Sequence, residues 1–147
     1  MSAGSIDALG GTLVVPAQRP GLERSDDRRL ERTIGTRHGL RVIFSAMQSQ
    51  FVPSGAGGFT GDLLYELRST DGRVRPWTVT ITPDRAHAHP GRPPEPRLTV
   101  KLTVADFVRL AGGDLDAGSA LLTGRMDLEG DFSLAARLGE MFGQDGL

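Results

Sequence analysis

The side chains best suited to chemistry in this sequence are a pair of closely spaced histidines. His87 and His89 stand two positions apart in a short predicted strand, so both imidazoles lie on one side of it, as in part of a metal site. No further ligand lies nearby in the sequence, because the remaining histidine, His38, is distant along the chain. We therefore interpret the pair as surface histidines on an edge strand and predict neither a metal nor a cofactor.

Three aspartates are further candidates, because a carboxylic acid buried in a cavity can act as a general acid. Asp106, Asp114 and Asp131 all stand where helix caps and turns favour aspartate, which predicts a structural role for each. A glycine-rich stretch over 55–61 has the composition of a phosphate-binding loop, but it lacks the dinucleotide spacing and precedes a strand. The sequence contains no cysteine, which excludes thiolate chemistry. These patterns predict no catalytic residue.

Length and charge restrict the class of protein further. A chain of 147 residues is typical of a single domain with a substantial core. The formal net charge of -1 offers little attraction for nucleic acid, so no nucleic-acid partner is expected. The sequence lacks both an apolar run of roughly 18 residues and a signal-peptide pattern, which predicts a cytoplasmic protein without stable membrane insertion. Lys101 is the only lysine beside many arginines, a bias typical of a GC-rich bacterial genome.

Apolar residues at helical spacing predict helices over three segments: 25–51, 105–111 and 132–142. The first segment opens at Ser25, whose hydroxyl can cap it, and Gly35 and Gly39 split it in the middle. The predicted organisation is a flexible, Gly- and Pro-rich leader over 1–24, one folded domain over 25–143 and a tail over 144–147.

Alternation of apolar and polar residues predicts five strands: 59–68, 77–82, 85–89, 98–104 and 125–129. Each strand has one apolar and one polar face, which is typical of an antiparallel sheet with a single covered side. The helices must supply that cover. The predicted fold class is therefore α+β, with a five-stranded, mainly antiparallel sheet and helices on one face.

The final third of the chain has a recognisable order of elements. A strand leads into an Asp106-Phe107 helix, and a Gly/Asp turn, a small-residue segment and a Gly130-Asp131 break then precede the last helix. This order resembles the sterol carrier protein 2 family of lipid-binding domains. The resemblance implies helices that enclose a hydrophobic tunnel for a sterol, a fatty acyl chain or another lipid, so the implied partner is a hydrophobic small molecule.

The resemblance, which covers 26–143, also implies that apolar side chains on the inner faces line this tunnel. The implied lining residues are Phe44, Met47, Phe51, Leu63, Tyr65, Trp77, Val79, Phe107, Leu122, Met126, Leu138, Met141 and Phe142. Periodicity alone predicts the same residues as an ordinary hydrophobic core, so a filled core is the alternative. Methionine suits either interpretation, since its flexible side chain fills gaps and adapts to varied ligands.

Three functions are compatible with these features. The resemblance implies non-catalytic binding and carriage of a hydrophobic molecule in an internal tunnel. The second is an enzyme of natural-product metabolism that holds a hydrophobic intermediate for cyclisation or isomerisation, with Tyr65, Asp106 or a histidine as acid or base. The third is an accessory module with a filled core, in which the polar face of the sheet pairs with a partner, as in a homodimer.

Overall fold

Within residues 20–142, which the computed structural model describes, the chain forms five α-helices, five strands and one short 3-10 helix; side chains are described from residue 25. The helices are α1 Pro20–Thr33, α2 Arg37–Gln50, α3 Val104–Gly112, α4 Ala117–Leu122 and α5 Phe132–Phe142. The strands are β1 Gly61–Arg68, β2 Val74–Ile81, β3 Ala86–Pro90, β4 Leu98–Thr103 and β5 Asp127–Gly130. The 3-10 helix, Pro53–Ala56, follows α2.

The strands form one sheet in the order β3-β2-β1-β4-β5, with β1 at its centre. β1 pairs in parallel with β4, and all other neighbouring strands in the sheet pair antiparallel. β2 runs antiparallel to β1, and β3 runs antiparallel to β2, on one side of β1. The chain then crosses to the other side of β1, where β4 runs in the same direction as β1. The predicted α+β fold with a five-stranded, mainly antiparallel sheet is confirmed.

The register of the strands places apolar residues side by side on the covered face. Tyr65 in β1 lies opposite Trp77 of β2 and Val100 of β4, and Leu63 lies opposite Val79. None of these side chains is more than 5% exposed. A shift of one residue in any strand would turn its apolar set toward solvent, so burial of this face fixes the register.

The opposite face of the sheet is mainly polar, with Leu64 as a buried apolar residue on it, and carries ion pairs. Lys101 Nζ lies 2.8 Å from Glu129 Oε2 and 3.9 Å from Glu66 Oε1, and Glu66 also pairs with Arg92. The hydrogen bond to Glu129 raises the pKa of Lys101 above its ordinary value. These side chains remain partly exposed, so the helices cover the other face, as the alternation of residues predicts.

The helical layer over the sheet consists mainly of α2, α3 and α5. Its buried apolar residues are Leu40, Phe44 and Met47 of α2, Val104, Ala105, Phe107, Val108 and Leu110 of α3, and Leu134, Leu138, Met141 and Phe142 of α5. Threonine caps begin two of these helices. Thr36 accepts a hydrogen bond from the Gly39 N–H, and Thr103 accepts one from the Asp106 N–H, each at 3.0 Å.

The break between α1 and α2 covers 34–36 and contains Gly35, and Gly39 lies in the first turn of α2. A Cβ atom on Gly39 would stand 1.6 Å from the carbonyl oxygen of Ile34, and one on Gly35 would stand 2.5 Å from Val104 Cγ1. Only glycine therefore allows α2 to begin so close to the end of α1 and allows this corner to pack on α3. The split in the first helical segment is confirmed.

Two helices differ from the sequence prediction. α1 begins at Pro20 rather than Ser25, and proline suits the first turn of a helix because its missing N–H is not needed there. α4 forms in the segment predicted as small residues without a helix, since Asp116 caps it by accepting the Ser119 N–H at 3.0 Å. The remainder of the predicted leader, 1–19, and the predicted tail, 144–147, lie outside the described residues.

Asp131 caps α5 and supports a testable prediction. Its Oδ1 accepts a hydrogen bond from the Ser133 backbone N–H at 3.0 Å and another from the Ser133 hydroxyl. The Asp131→Ala variant is expected to melt a few degrees lower with unchanged ligand uptake, because one helix-terminal N–H loses its acceptor. The bonds from Ser133 lower the pKa of Asp131, so its stabilising effect is present above the ordinary pKa and lost as pH falls below it. Thermal unfolding of the wild type and the variant at neutral pH and at pH 3 measures the difference between their melting temperatures. A difference of the same size at both pH values would contradict the prediction.

Candidate ligand-binding site

The centre of the covered face is an aromatic cluster formed by four elements. Phe44 of α2 stacks on Trp77 of β2 with ring centroids 4.4 Å apart and on Phe107 of α3 at 4.9 Å. Tyr65 of β1 meets the Phe44 ring edge-on at 5.6 Å. Phe44 thus lies between the sheet and α3, in the layer where the resemblance implies a tunnel.

The C-terminal helix closes the same apolar layer from the side. Phe142 lies 5.7 Å from the Phe51 ring between centroids, and Met141 is completely buried. The Val52 N–H donates to the Met141 carbonyl at 2.6 Å. A Cβ atom on Gly55 would lie 2.0 Å from the Glu140 carbonyl oxygen, so the 3-10 helix presses directly on the backbone of α5. α5 is therefore held against the segment that follows α2.

All of the implied lining residues except Leu122 belong to this core or pack against it. Leu122, at the end of α4, is 89% exposed and does not reach the inner layer. The reason is that α4 turns Ala120 toward the core, where it is completely buried, and a residue two positions on points away. The implied lining residues do not include Leu98, Val100 and Leu102 of β4, which belong to the same core. Their alternation with polar residues in the sequence is the signal that could have identified them.

The Tyr65 hydroxyl is the unusual polar group of this layer. The side chain is completely buried, and its oxygen has no hydrogen-bond partner among the described residues. Burial raises the pKa of Tyr65 far above its ordinary value, so the group remains a neutral phenol. Buried tyrosines usually place the hydroxyl against a partner, which makes this unpaired donor a candidate contact for a ligand.

Asp106 lies in an ion-pair cluster rather than at a helix cap, which corrects the capping prediction for this residue. Its Oδ1 lies 2.8 Å from Arg109, its Oδ2 lies 3.5 Å from Arg125, and Arg109 also approaches Asp27 of α1 at 2.7 Å. Desolvation raises the pKa of Asp106, and the bond from Arg109 opposes that change. The cluster joins α1 to α3, so we interpret the Asp106 carboxylate as a structural group that helps to hold these helices together.

Removal of the Arg109 guanidinium tests whether this ion-pair cluster stabilises the fold. The Arg109→Met variant is expected to lose about 2 kcal/mol of unfolding free energy, because two partly buried carboxylates lose their shared cation. Arg137→Met is the matched control, since Arg137 is an exposed partner of Glu140 at 3.8 Å and its loss should change stability by less than about 0.5 kcal/mol. Urea unfolding measures both values. Equal effects would show that the cluster contributes no more than a surface ion pair.

The remaining candidates for chemistry lie away from the aromatic cluster. His87 is exposed and its ring lies 5.8 Å from that of His89, and Asp114 is exposed in the turn after α3. Among the described residues, no group of three or more His, Cys, Asp or Glu side chains could hold a metal ion. None of the helices in the described part of the chain is both long enough and apolar enough to cross a membrane.

A surface cleft of about 730 Å³ lies between the α1–α2 corner and the β1–β2 hairpin. Its lining residues are Glu31, Arg32, Thr36, Arg37, Arg73 and Arg75. These side chains are polar or charged, and Glu31 already accepts hydrogen bonds from Thr70. The cleft therefore does not suit a hydrophobic molecule, and the apolar layer between helices and sheet is the better candidate site.

Solved structures similar to this chain share its arrangement of helices on a five-stranded sheet. Palmitated SCP2L2 from Aedes aegypti is 27% identical, with a TM-score of 0.57 over 67% of this chain and 88% of that one. Sterol carrier protein 2 like 2 from Aedes aegypti is 24% identical, with a TM-score of 0.54 over 71% of this chain and 96% of that one. The sec-alkylsulfatase Pisa1 from Pseudomonas sp. is 24% identical, with a TM-score of 0.52 over 66% of this chain, which spans only 14% of the sulfatase.

Structural likeness alone does not assign the chain to a family, but a match to a family model does. No curated protein sequence matches the chain. Residues 57–143, which include strands β1 to β5 and helices α3 to α5, match the model of the SCP-2 sterol transfer family. The chain therefore belongs to the SCP-2 sterol transfer family.

Proposed function

We propose that this protein binds and carries a hydrophobic small molecule, of the lipid, fatty acyl or sterol-like class, between its helical layer and its sheet. The observation that carries the proposal is the family match over 57–143, since this segment supplies the whole sheet beneath the aromatic cluster. The palmitated relative from Aedes aegypti supports a ligand with a fatty acyl chain. Binding in an apolar layer requires no covalent step, so the proposal assigns no catalytic residue.

Burial of a hydrocarbon chain provides enough free energy for such a role. Each buried methylene contributes about 0.8 kcal/mol, so a chain of about ten gains roughly 8 kcal/mol before other terms. Loss of motional freedom on association offsets part of this gain and leaves an affinity near the micromolar range. That affinity suits a carrier, because the protein must also release its ligand.

We infer that the aromatic cluster opens when the ligand enters. Phe44 occupies the space between Trp77 and Phe107, and it is the only member of the stack that α2 contributes. A displacement of α2 would withdraw this ring and leave a slot between the sheet and α3. We infer that the ligand chain replaces the Phe44 ring in that slot, while α5 stays fixed by its contacts with Val52 and Gly55.

Organic extraction of the purified protein, followed by mass spectrometry, tests the proposal directly. A lipid or sterol-like molecule in stoichiometric amount would support carriage and name the ligand class. A cyclic or otherwise reactive pathway intermediate would instead favour the enzymatic alternative. An empty protein that also fails to bind fluorescent fatty acids and their methyl esters would contradict the proposal and favour an accessory module with a filled core.

A further inference from the structure

Tyr65, whose hydroxyl has no partner among the described residues, lies at the centre of the proposed site. Tyr65 lies near the middle of β1, the central strand of the sheet, opposite Trp77 on one side and Val100 on the other. The rings of Phe44 and Phe107 lie 5.6 and 5.9 Å from its own. Any molecule that replaces Phe44 would therefore contact Tyr65.

The hydroxyl has no evident structural use among the described residues. A phenylalanine at this position would fill the same volume without leaving a polar group unpaired in an apolar layer. Because buried polar groups without partners destabilise a fold, the hydroxyl weakens the ligand-free protein relative to phenylalanine. A ligand oxygen that accepts its proton would remove this penalty in the bound state.

The surroundings of Tyr65 also restrict the kind of ligand oxygen to which its hydroxyl can donate a hydrogen bond. Burial raises the pKa of Tyr65, and the Phe44 and Phe107 rings beside its own are apolar. Arg41, an exposed residue, approaches the cluster with its guanidinium 5.9 Å from the centroid of the Trp77 ring. A carboxylate beside the Tyr65 hydroxyl would be buried among aromatic rings, and burial of a charge without a directly paired cation is strongly unfavourable. A hydroxyl, ketone or ester oxygen carries no net charge and forms a good hydrogen bond with a neutral phenol.

We propose that the Tyr65 hydroxyl is the polar anchor of the ligand site and selects hydrophobic molecules with an uncharged oxygen over those with a carboxylate or no oxygen. The inference rests on the proposed function and adds a ligand class to it. Tyr65 donates the hydrogen bond, and the hydrocarbon part of the ligand lies against Trp77 and Phe107 in place of Phe44.

The Tyr65→Phe variant and three probes with the same carbon chain test this anchor. Methyl palmitate offers an uncharged ester, palmitate offers a carboxylate, and hexadecane offers no oxygen. The fluorescence of Trp77, the single tryptophan of the chain, reports the Kd of each probe. The wild type is expected to bind methyl palmitate about tenfold more tightly than hexadecane, as one hydrogen bond allows, and more tightly than palmitate at pH 8.

In the Tyr65→Phe variant, the preference for the ester should disappear, while the Kd of hexadecane stays as in the wild type. Without ligand, the melting temperature of the variant should be equal to or higher than that of the wild type. An unchanged ester preference would overturn the anchor while leaving carriage intact. A large fall in melting temperature would also overturn it, since the hydroxyl would then have a structural partner. If the wild type binds no probe at all, the proposed function itself fails.

Discussion

Replacement of Val79 with arginine is expected to abolish the uptake of hydrophobic probes and to destabilise the fold strongly. Val79 is completely buried and lies on the covered face of β2, between Ala88 of β3 and Leu63 of β1. Arginine there would place a guanidinium in an apolar layer without a carboxylate beside it. Titration with the methyl ester of a fluorescent fatty acid measures uptake, and far-UV circular dichroism measures the folded fraction.

Two further variants separate loss of the site from loss of the fold. Val79→Thr keeps the shape of the side chain but adds a hydroxyl to the same face, so it should fold and bind the probe more weakly. Leu122→Arg is the matched control, because Leu122 is 89% exposed and an arginine there meets only solvent. A folded Val79→Arg protein with normal uptake would show that this face of β2 does not contact the ligand.

Replacement of Phe44 with alanine is expected to lower the free energy of unfolding by about 4 kcal/mol. The ring is 1% exposed and contacts Trp77, Tyr65 and Phe107, so its removal leaves a cavity at the centre of the layer. Val42→Ala on the same helix is the control, since Val42 is 54% exposed and its truncation should change stability by less than about 0.5 kcal/mol. Urea unfolding at equal protein concentration measures both.

The same variant distinguishes two roles for Phe44 in binding. If the ligand replaces this ring, Phe44→Ala no longer has to displace it, and well below its melting temperature the variant should bind a fluorescent fatty acid at least as tightly as the wild type. If Phe44 instead forms a wall of a site that is already open, the variant should bind more weakly. The second result would contradict displacement of α2 as the step that admits the ligand.

Some features of the site follow from local sequence. Alternation identified Leu63, Tyr65, Trp77 and Val79 as one face because side chains in a strand point to opposite sides in turn. The cap of Asp131 on α5 was equally predictable, since it depends on a residue two positions away. Local sequence was less decisive for α4, because the helix has only 6 residues and Gly118 weakens its first turn.

The sequence by itself determined which faces are apolar, where the first helical segment breaks and which family the last third resembles. These are properties of neighbouring residues, and backbone geometry converts them directly into structure. Only the tertiary structure decided that β1 pairs in parallel with β4, that Asp106 shares Arg109 with Asp27, and that Leu122 faces solvent. It also decided that the Tyr65 hydroxyl has no partner among the described residues. Each of these depends on how elements far apart in the chain pack together, which no local pattern encodes.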